Sequence, residues 1–356
     1  MQGPPGFRDD AGMRSAPTAA AAALVAACYA PQPQAGAPCA ADGSCPKPLV
    51  CSSRGTCEAP GPGDPEVDAP PPPPDGCTPT AEICGNGVDD DCSGGDLACA
   101  ANDRPGGAVD VTAGGMFGGD VGLAADDVAG SGCGLDGGRD LFFRVVLTAP
   151  QVYYFDTFGS TYDTVIRVYR KSCATVGAGG AAAACVDDAC GGGQSQVAAS
   201  LPAGESCIVV DGRDGAQATG ALMLRVVRGG RDGLPLARGA QTYTGDTCAA
   251  TNASEPLDMN CDGPGSGGKD HAYFFTTCPN EALKLDADVC PEPMWDPVLY
   301  VKRVNGDQIG CNDDSCGFGP RLTGVPVSGS SLYFLFLDGF TPQECGTYSL
   351  DTNLVP

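Results

Sequence analysis

Histidine is nearly absent from this chain of 356 residues, and His271 stands alone. A single imidazole excludes multi-histidine zinc or copper centres. It also leaves any Ser-His-Asp or Cys-His mechanism one candidate base. Basic residues are scarce too. Lys and Arg total 20 against 44 Asp and Glu, a formal charge of −24. So acidic a surface repels nucleic acid and anionic lipid headgroups, which attract basic patches. Glutamate, the helix-forming acid, contributes little to that total. Aspartate supplies most of it, and aspartate belongs in turns, caps and oxygen-ligand loops. With 53 Gly and 31 Pro, a helical protein is disfavoured. No stretch approaches ~18 apolar residues outside the N-terminus, so nothing else reads as a membrane span. G-x-S-x-G, H-E-x-x-H and the phosphate-binding loop are all missing.

Cysteine, by contrast, is abundant at 21 residues. In a chain this polar it indicates disulfides in an oxidising, exported setting. Residues 13–28 read MRSAPTAAAAALVAAC. Arg14 is a short positive region, 19–27 an apolar run, and Val25-Ala26-Ala27-Cys28 matches a bacterial lipobox. Residues 1–12 carry Pro4, Pro5, Arg8, Asp9 and Asp10, which suits no signal n-region and places the start at Met13. The expectation is a lipoprotein with signal segment 1–28, lipidated on Cys28. A thioether diacylglycerol with an N-acyl chain exceeds the two-signal threshold for stable anchoring. Tyr29, rather than Asp, follows the cysteine, which favours the outer membrane or cell surface. Ordinary secretion of a soluble chain, cleaved after Ala30, is the alternative.

Residues 29–57 hold a Pro/Ala tether and Cys39, Cys45, Cys51 and Cys57 at an even period of six. So small a unit has no room for a core, so two disulfides must hold it. It lacks the C-x2-C pairs of zinc clamps. Residues 58–76 are Pro-rich and acidic, a semi-rigid polyproline spacer. Residues 77–99 contain Glu82-Ile83-Cys84-Gly85-Asn86-Gly87-Val88-Asp89-Asp90-Asp91-Cys92. This resembles the metal-binding motif of MopE-type surface proteins. The resemblance marks Asn86, Asp89, Asp91 and Asp96 as oxygen ligands, a set suited to Ca²⁺. Gly85 is an insertion, Ser93 replaces an acid, and the closing Asp-Glu is missing. The alternative is a disulfide-pinned turn whose acids face water.

The remaining chain is duplicated. Residues 100–230 carry Asp140-Leu-Phe-Phe, Asp163-Thr-Val, Cys185-Val-Asp187-Asp188-Ala-Cys190 and Val210-Asp211-Gly212. Residues 231–356 carry, in the same order, Asp270-His-Ala-Tyr-Phe-Phe, Trp295-Asp296-Pro-Val, Cys311-Asn-Asp313-Asp314-Ser-Cys316 and Leu337-Asp338-Gly339. Strand-like runs are predicted at 141–147, 152–156, 165–169, 197–201, 207–210 and 222–227. They recur at 272–275, 283–285, 298–304, 321–325, 332–337 and 347–350. With no helical pattern between them, the fold class is all-β: two tandem antiparallel β-sandwiches after a disulfide-rich, Pro-rich stalk. The order of landmarks resembles the bacterial pre-peptidase C-terminal domain, a jelly-roll-like module. That resemblance implies binding, folding assistance or surface attachment rather than catalysis.

Asp163, Asp187 and Asp188, and equally Asp296, Asp313 and Asp314, form secondary metal candidates for Ca²⁺ between loops. Their alternative is a turn in which Cys185 pairs with Cys190, Cys311 pairs with Cys316, and the acids cap backbone N–H groups. Cys248 is expected to pair with Cys261, and Cys278 with Cys290. Trp295 is expected in the core, and His271 at a surface or strand edge. The composite expectation is a non-catalytic, surface-anchored module that binds a protein or polysaccharide, with Ca²⁺ its one candidate cofactor. An accessory module of a secreted hydrolase and a structural envelope spacer are the alternatives.

Overall fold

The computed structural model describes residues 35–40, 44–45, 49–52, 54–59, 78–80, 84–128, 133, 138–178, 181–213, 220–257, 261, 267–290 and 293–356. Met13, Cys28, Cys77 and linker residues 60–76 lie outside the described residues. The chain divides into two compact units, 1–74 and 75–356. In the first, β1 (Val50–Cys51) pairs with β2 (Cys57–Glu58), and disulfides Cys39–Cys51 and Cys45–Cys57 interlock across the pair. Every described cysteine is disulfide-bonded, the chemistry of an exported chain. Among the described residues no helix is long and apolar enough to cross a membrane.

The second unit is all-β. Its first sandwich consists of β3 (Val109–Asp110), β4 (Gly115–Asp120), β5 (Asp140–Leu147), β6 (Gln151–Asp156), β7 (Thr164–Tyr169), β8 (Ala184–Asp187), β9 (Gln196–Leu201), β10 (Gly204–Gly212) and β11 (Ala221–Arg228). The second follows with β12 (Leu234–Pro235), β13 (Gly239–Asp246), β14 (His271–Thr277), β15 (Ala282–Asp288), β16 (Pro297–Arg303), β17 (Gln308–Asn312), β18 (Arg321–Ser328), β19 (Ser331–Gly339) and β20 (Thr347–Val355). Sheet orders are β3-β5-β10-β7-β8 over β4-β11-β6-β9, then β12-β14-β19-β16-β17 over β13-β20-β15-β18. The two copies have one topology, strand for strand.

Strand composition follows from what each face meets. Phe143, Val145, Ile166, Val168, Ile208 and Val210 face Tyr153, Phe155, Leu222 and Leu224 to form the first core. Strand β20 alternates exposed and buried because one of its faces meets water. Strands β16 and β19 read as near-continuous apolar runs because both of their faces are covered. Their outer face carries Val298, Tyr300, Leu332, Phe334 and Phe336, and these pack on Val152 and Tyr154 of the first sandwich. The Tyr154 and Ser330 hydroxyls lie 2.8 Å apart, Arg225 donates to Ser330 O at 3.1 Å, and the Arg231 guanidinium sits 4.8 Å over the Phe336 ring.

The disulfides correct four expected pairings. Cys185 pairs with Cys133 and Cys190 with Cys278. Cys311 pairs with Cys261, Cys316 with Cys290, and Cys248 with Cys345. The reason is backbone direction. Cys185 and Cys311 sit in strands β8 and β17, so the chain carries the next cysteine away from them. In the first copy Asp188 and Cys190 take left-handed backbone (φ 50° and 61°), and Cys190 bonds to Cys278 of the second sandwich. Cys190–Cys278 thus ties the two sandwiches covalently. Opening it with Cys190→Ser/Cys278→Ser should lower stability, by up to about 4–5 kcal/mol on loop-closure entropy for a separation of 88 residues. A denaturant titration measures this. An unchanged midpoint would mean that the bridge constrains nothing.

Candidate metal centres

In the 84–99 loop, Cys84–Cys99 closes the ends. Its carboxylates are engaged by backbone. Asp96 accepts from Gly85 N and Gly87 N at 2.7 and 2.8 Å. Asp89 accepts from Ser93 N and Gly94 N, both at 3.0 Å, and Asp91 from Ser93 N at 2.8 Å. Asn86 Oδ1 accepts from Val88 N at 2.7 Å, and its amide donates to Asp90 at 2.6 Å. Hydrogen bonding to Ser93 holds the Asp91 carboxyl below its usual range. All four residues marked by the motif accept backbone N–H hydrogen bonds within the turn.

The sandwich loops behave differently. Asp163, Asp187 and Asp188 place carboxylate oxygens within 4.8 Å of one another, and so do Asp296, Asp313 and Asp314. The duplicated topology explains why. Asp163 and Asp296 precede β7 and β16, while the paired acids lie at the ends of β8 and β17, the neighbouring strands. Val165 pairs with Asp187 in the first copy, and Leu299 pairs with Asn312, one step from Asp313, in the second. The extended register brings together acids that lie far apart in sequence.

The two clusters differ in what faces them. In the first, Arg213 Nη1 lies 2.5 Å from Asp188 and 3.6 Å from Asp163, and its Nε lies 3.3 Å from Asp187. These acids raise the guanidinium further, Asp187 most. In the second, the position after Asp338-Gly339 is Phe340 instead of arginine. Glu344 adds an acid there and accepts from Asp296 N at 3.2 Å. Burial, then Asp314 and Glu344, push the Asp296 carboxyl upward. Sequence reading missed Arg213, Phe340 and Glu344. Aligning the residue after each Asp-Gly landmark would have exposed the arginine-to-phenylalanine exchange.

A buried row runs beside each cluster. In the first sandwich Arg167, fully buried, forms an ion pair with buried Asp211. In the second, Tyr300 holds the arginine's place and its hydroxyl donates to Asp338 at 3.1 Å. Asp338 is therefore a buried acid without the arginine of its counterpart. Burial, then the charge of Asp270, pushes its carboxyl up to about 7. His271 opens strand β14, where β12 flanks Tyr273 and Phe274 but does not reach it, and the half-buried ring meets the Tyr348 hydroxyl at 2.7 Å, itself 2.6 Å from the Tyr273 hydroxyl. Burial lowers the imidazole below its usual range. Asp270 accepts from Ala253 N and Ser254 N at 2.6 and 2.9 Å through one carboxylate oxygen, and its charge, with that of Asp246, acts on the ring against burial. Trp295 is buried in the second core, and its Nε1 donates to Thr347 O at 3.0 Å.

No protein-family model and no curated protein matches the chain. Among solved structures, the pre-peptidase C-terminal domain of a collagenase from Bacillus anthracis aligns at 10% identity and TM-score 0.23. The alignment covers 35% of this chain and 96% of that one. The CUB1-EGF-CUB2 segment of human MASP-1/3 aligns at 9% identity and TM-score 0.17, over 67% of this chain and 99% of that one. Likenesses at this distance carry no functional argument, and the all-β fold rests on the strands described above.

The raised Asp338 carboxyl has a sign. A folded-state value of about 7 against an ordinary 3.8 means that the folded chain binds the proton more tightly than the unfolded one. The associated stability is complete below the ordinary value and is lost as pH rises to about 7. Asp338→Asn, which keeps the shape of the neutral acid, should raise stability at pH 8, by at most about 4 kcal/mol, and leave it unchanged near pH 3.5. Thermal melts of both forms across that range test this. An equal shift at both ends would assign the effect to packing.

Proposed function

We propose that this chain is a surface lipoprotein, anchored through Cys28, that displays a non-catalytic binding module for a protein or polysaccharide partner. The observation that supports it best is the lock between the sandwiches. An apolar face from Val152 to Phe336 and the Cys190–Cys278 bridge make one body of two domains. Rigid display fits recognition, because a preorganised surface loses little entropy on binding. Ca²⁺ is the cofactor this reading admits, on the carboxylate clusters at the strand ends.

Two measurements test it. Metabolic labelling with a fatty acid should mark the wild-type chain and not Cys28→Ser; label in the variant contradicts the anchor. The purified soluble chain, labelled and added to isolated envelopes of its source cells, should bind saturably. Binding that never saturates, or none, would reduce the chain to a structural spacer.

A further inference from the structure

We propose that the open edge of β13 takes an extended, basic peptide segment of a protein partner as an added strand, with a Lys or Arg side chain reaching Asp351. The inference deepens the binding part of the reading above and rests on it for the existence of a partner. It is independent of the lipid anchor and of Ca²⁺.

A strand at the edge of a sheet presents unpaired backbone N–H and C=O groups, and proteins blunt such edges. Most outermost strands of the two sandwiches are blunted. Strands β3 and β12 are two residues long. Strands β8 and β17 carry Cys185 and Cys311, each tied by a disulfide. In β4 three of six residues are glycine. The Ser200 carbonyl of β9 accepts from Arg170 Nε at 3.1 Å. Strand β18 carries Pro326 and breaks register against β15. Strand β13 has none of these features. It runs eight residues, pairs in unbroken register with β20, and contains no proline, lysine or arginine. Among the described residues no strand pairs with its other side.

Comparison of the two copies gives the occupant its charge. In the first, Arg225 of β11 is in register with Asp156 of β6, and its Nε lies 2.7 Å from that carboxylate. The same register position in the second copy holds Asp351 of β20 opposite Asp288 of β15. Like charges directly opposite one another destabilise a sheet. Arg321 meets Asp288 at 2.7 Å, while Asp351 is exposed and accepts from the Thr242 hydroxyl of β13. Asp286 lines the same trough, of about 440 Å³, on the outer face of β13, β20 and β15. The β13 side chains on that face, Ala240, Thr242 and Thr244, are short. A strand added beyond β13 lies two strand spacings, about 10 Å, from β20. A lysine or arginine opposite Thr242 reaches over the threonine to Asp351, and supplies the cation that Arg225 supplies in the first copy. Pairing β13 with β13 of a second copy would instead set two acidic faces side by side, in a chain of formal charge −24. Charge therefore selects a basic partner over self-association.

The probe is a synthetic peptide, acetyl-KVKTKVK-amide, titrated into the oxidised full-length chain. It should bind with a Kd below about 1 mM, and hydrogen exchange should slow at Gly239–Asp246. N-methylation of one alternate set of its amides should abolish binding, and of the other set should not, because only one set faces β13. Replacing every lysine by glutamate should abolish binding. Asp351→Arg, which restores the ion pair of the first copy, should weaken binding at least tenfold with circular dichroism unchanged, and Asp351→Asn should weaken it by less. Asp188→Asn, in the first sandwich, should leave it intact. No saturable binding, protection at another strand, or equal binding by both N-methylated peptides overturns the added strand. Binding unchanged by Asp351→Arg overturns the role given to that carboxylate. A chain that sediments as a dimer, with β13 protected before any peptide is added, would give the edge to a second copy and overturn the proposal. Failure of the peptide in a chain that still binds envelopes saturably would remove this edge from the binding module and leave the module standing.

Discussion

The buried contact between the outer face of β6 and the outer face of β14, β16 and β19 sets the terms for the rest of the second unit. It covers Tyr300, Phe334 and Phe336, which would otherwise form an exposed apolar patch of the kind that promotes association. It explains why β16 and β19 tolerate apolar residues at successive positions. It also holds Cys190 within bonding reach of Cys278, with Cα atoms 5.5 Å apart. The equivalent outer face of the second sandwich carries Asp286, Asp288, Asp351 and Asn353 and meets no third domain among the described residues.

Duplication followed by divergence accounts for most of the chemistry. Both copies keep an acid before the first core strand, an acid at the Asp-Gly, and three acids at the loop end. What changed is the cation. Tyr300 stands where the first copy has Arg167, and Phe340 where it has Arg213, so the first sandwich neutralises its carboxylates internally. The second carries a buried Asp338 and an acid cluster that faces other acids. Cysteine diverged in parallel. Cys190 and Cys316 hold equivalent positions, yet one bridges the domains and the other stays within its own.

The all-β class was legible in the sequence because the long strands have strong period-two or continuous apolar patterns. The strands missed by pattern were β3, β4 and β8 and their counterparts β12, β13 and β17. They are short, glycine-rich or polar, and mostly at sheet edges, so burial imposes little pattern on them. Two of them carry the Cys-x-Asp-Asp-x-Cys segments. Reading those segments as turns made the local disulfides look natural, whereas a strand carries its cysteines to separate partners. The membership of both acid clusters could be read from spacing alone. Their asymmetry could not, because Arg213 joins the site through strand pairing across β7 and β10. The bond from His271 to Tyr348 was beyond spacing for a related reason: the partner lies 77 residues away on the facing sheet.

The claim that the two sandwiches form one rigid body is open to direct measurement. Residual dipolar couplings of backbone amides, collected for the oxidised full-length chain in a dilute aligning medium, report each domain's orientation independently. The account expects one alignment tensor to fit residues 139–228 and 271–355 together, before and after a change of medium. Two tensors of different magnitude would show the domains moving separately, and would contradict the buried face and the bridge as a lock.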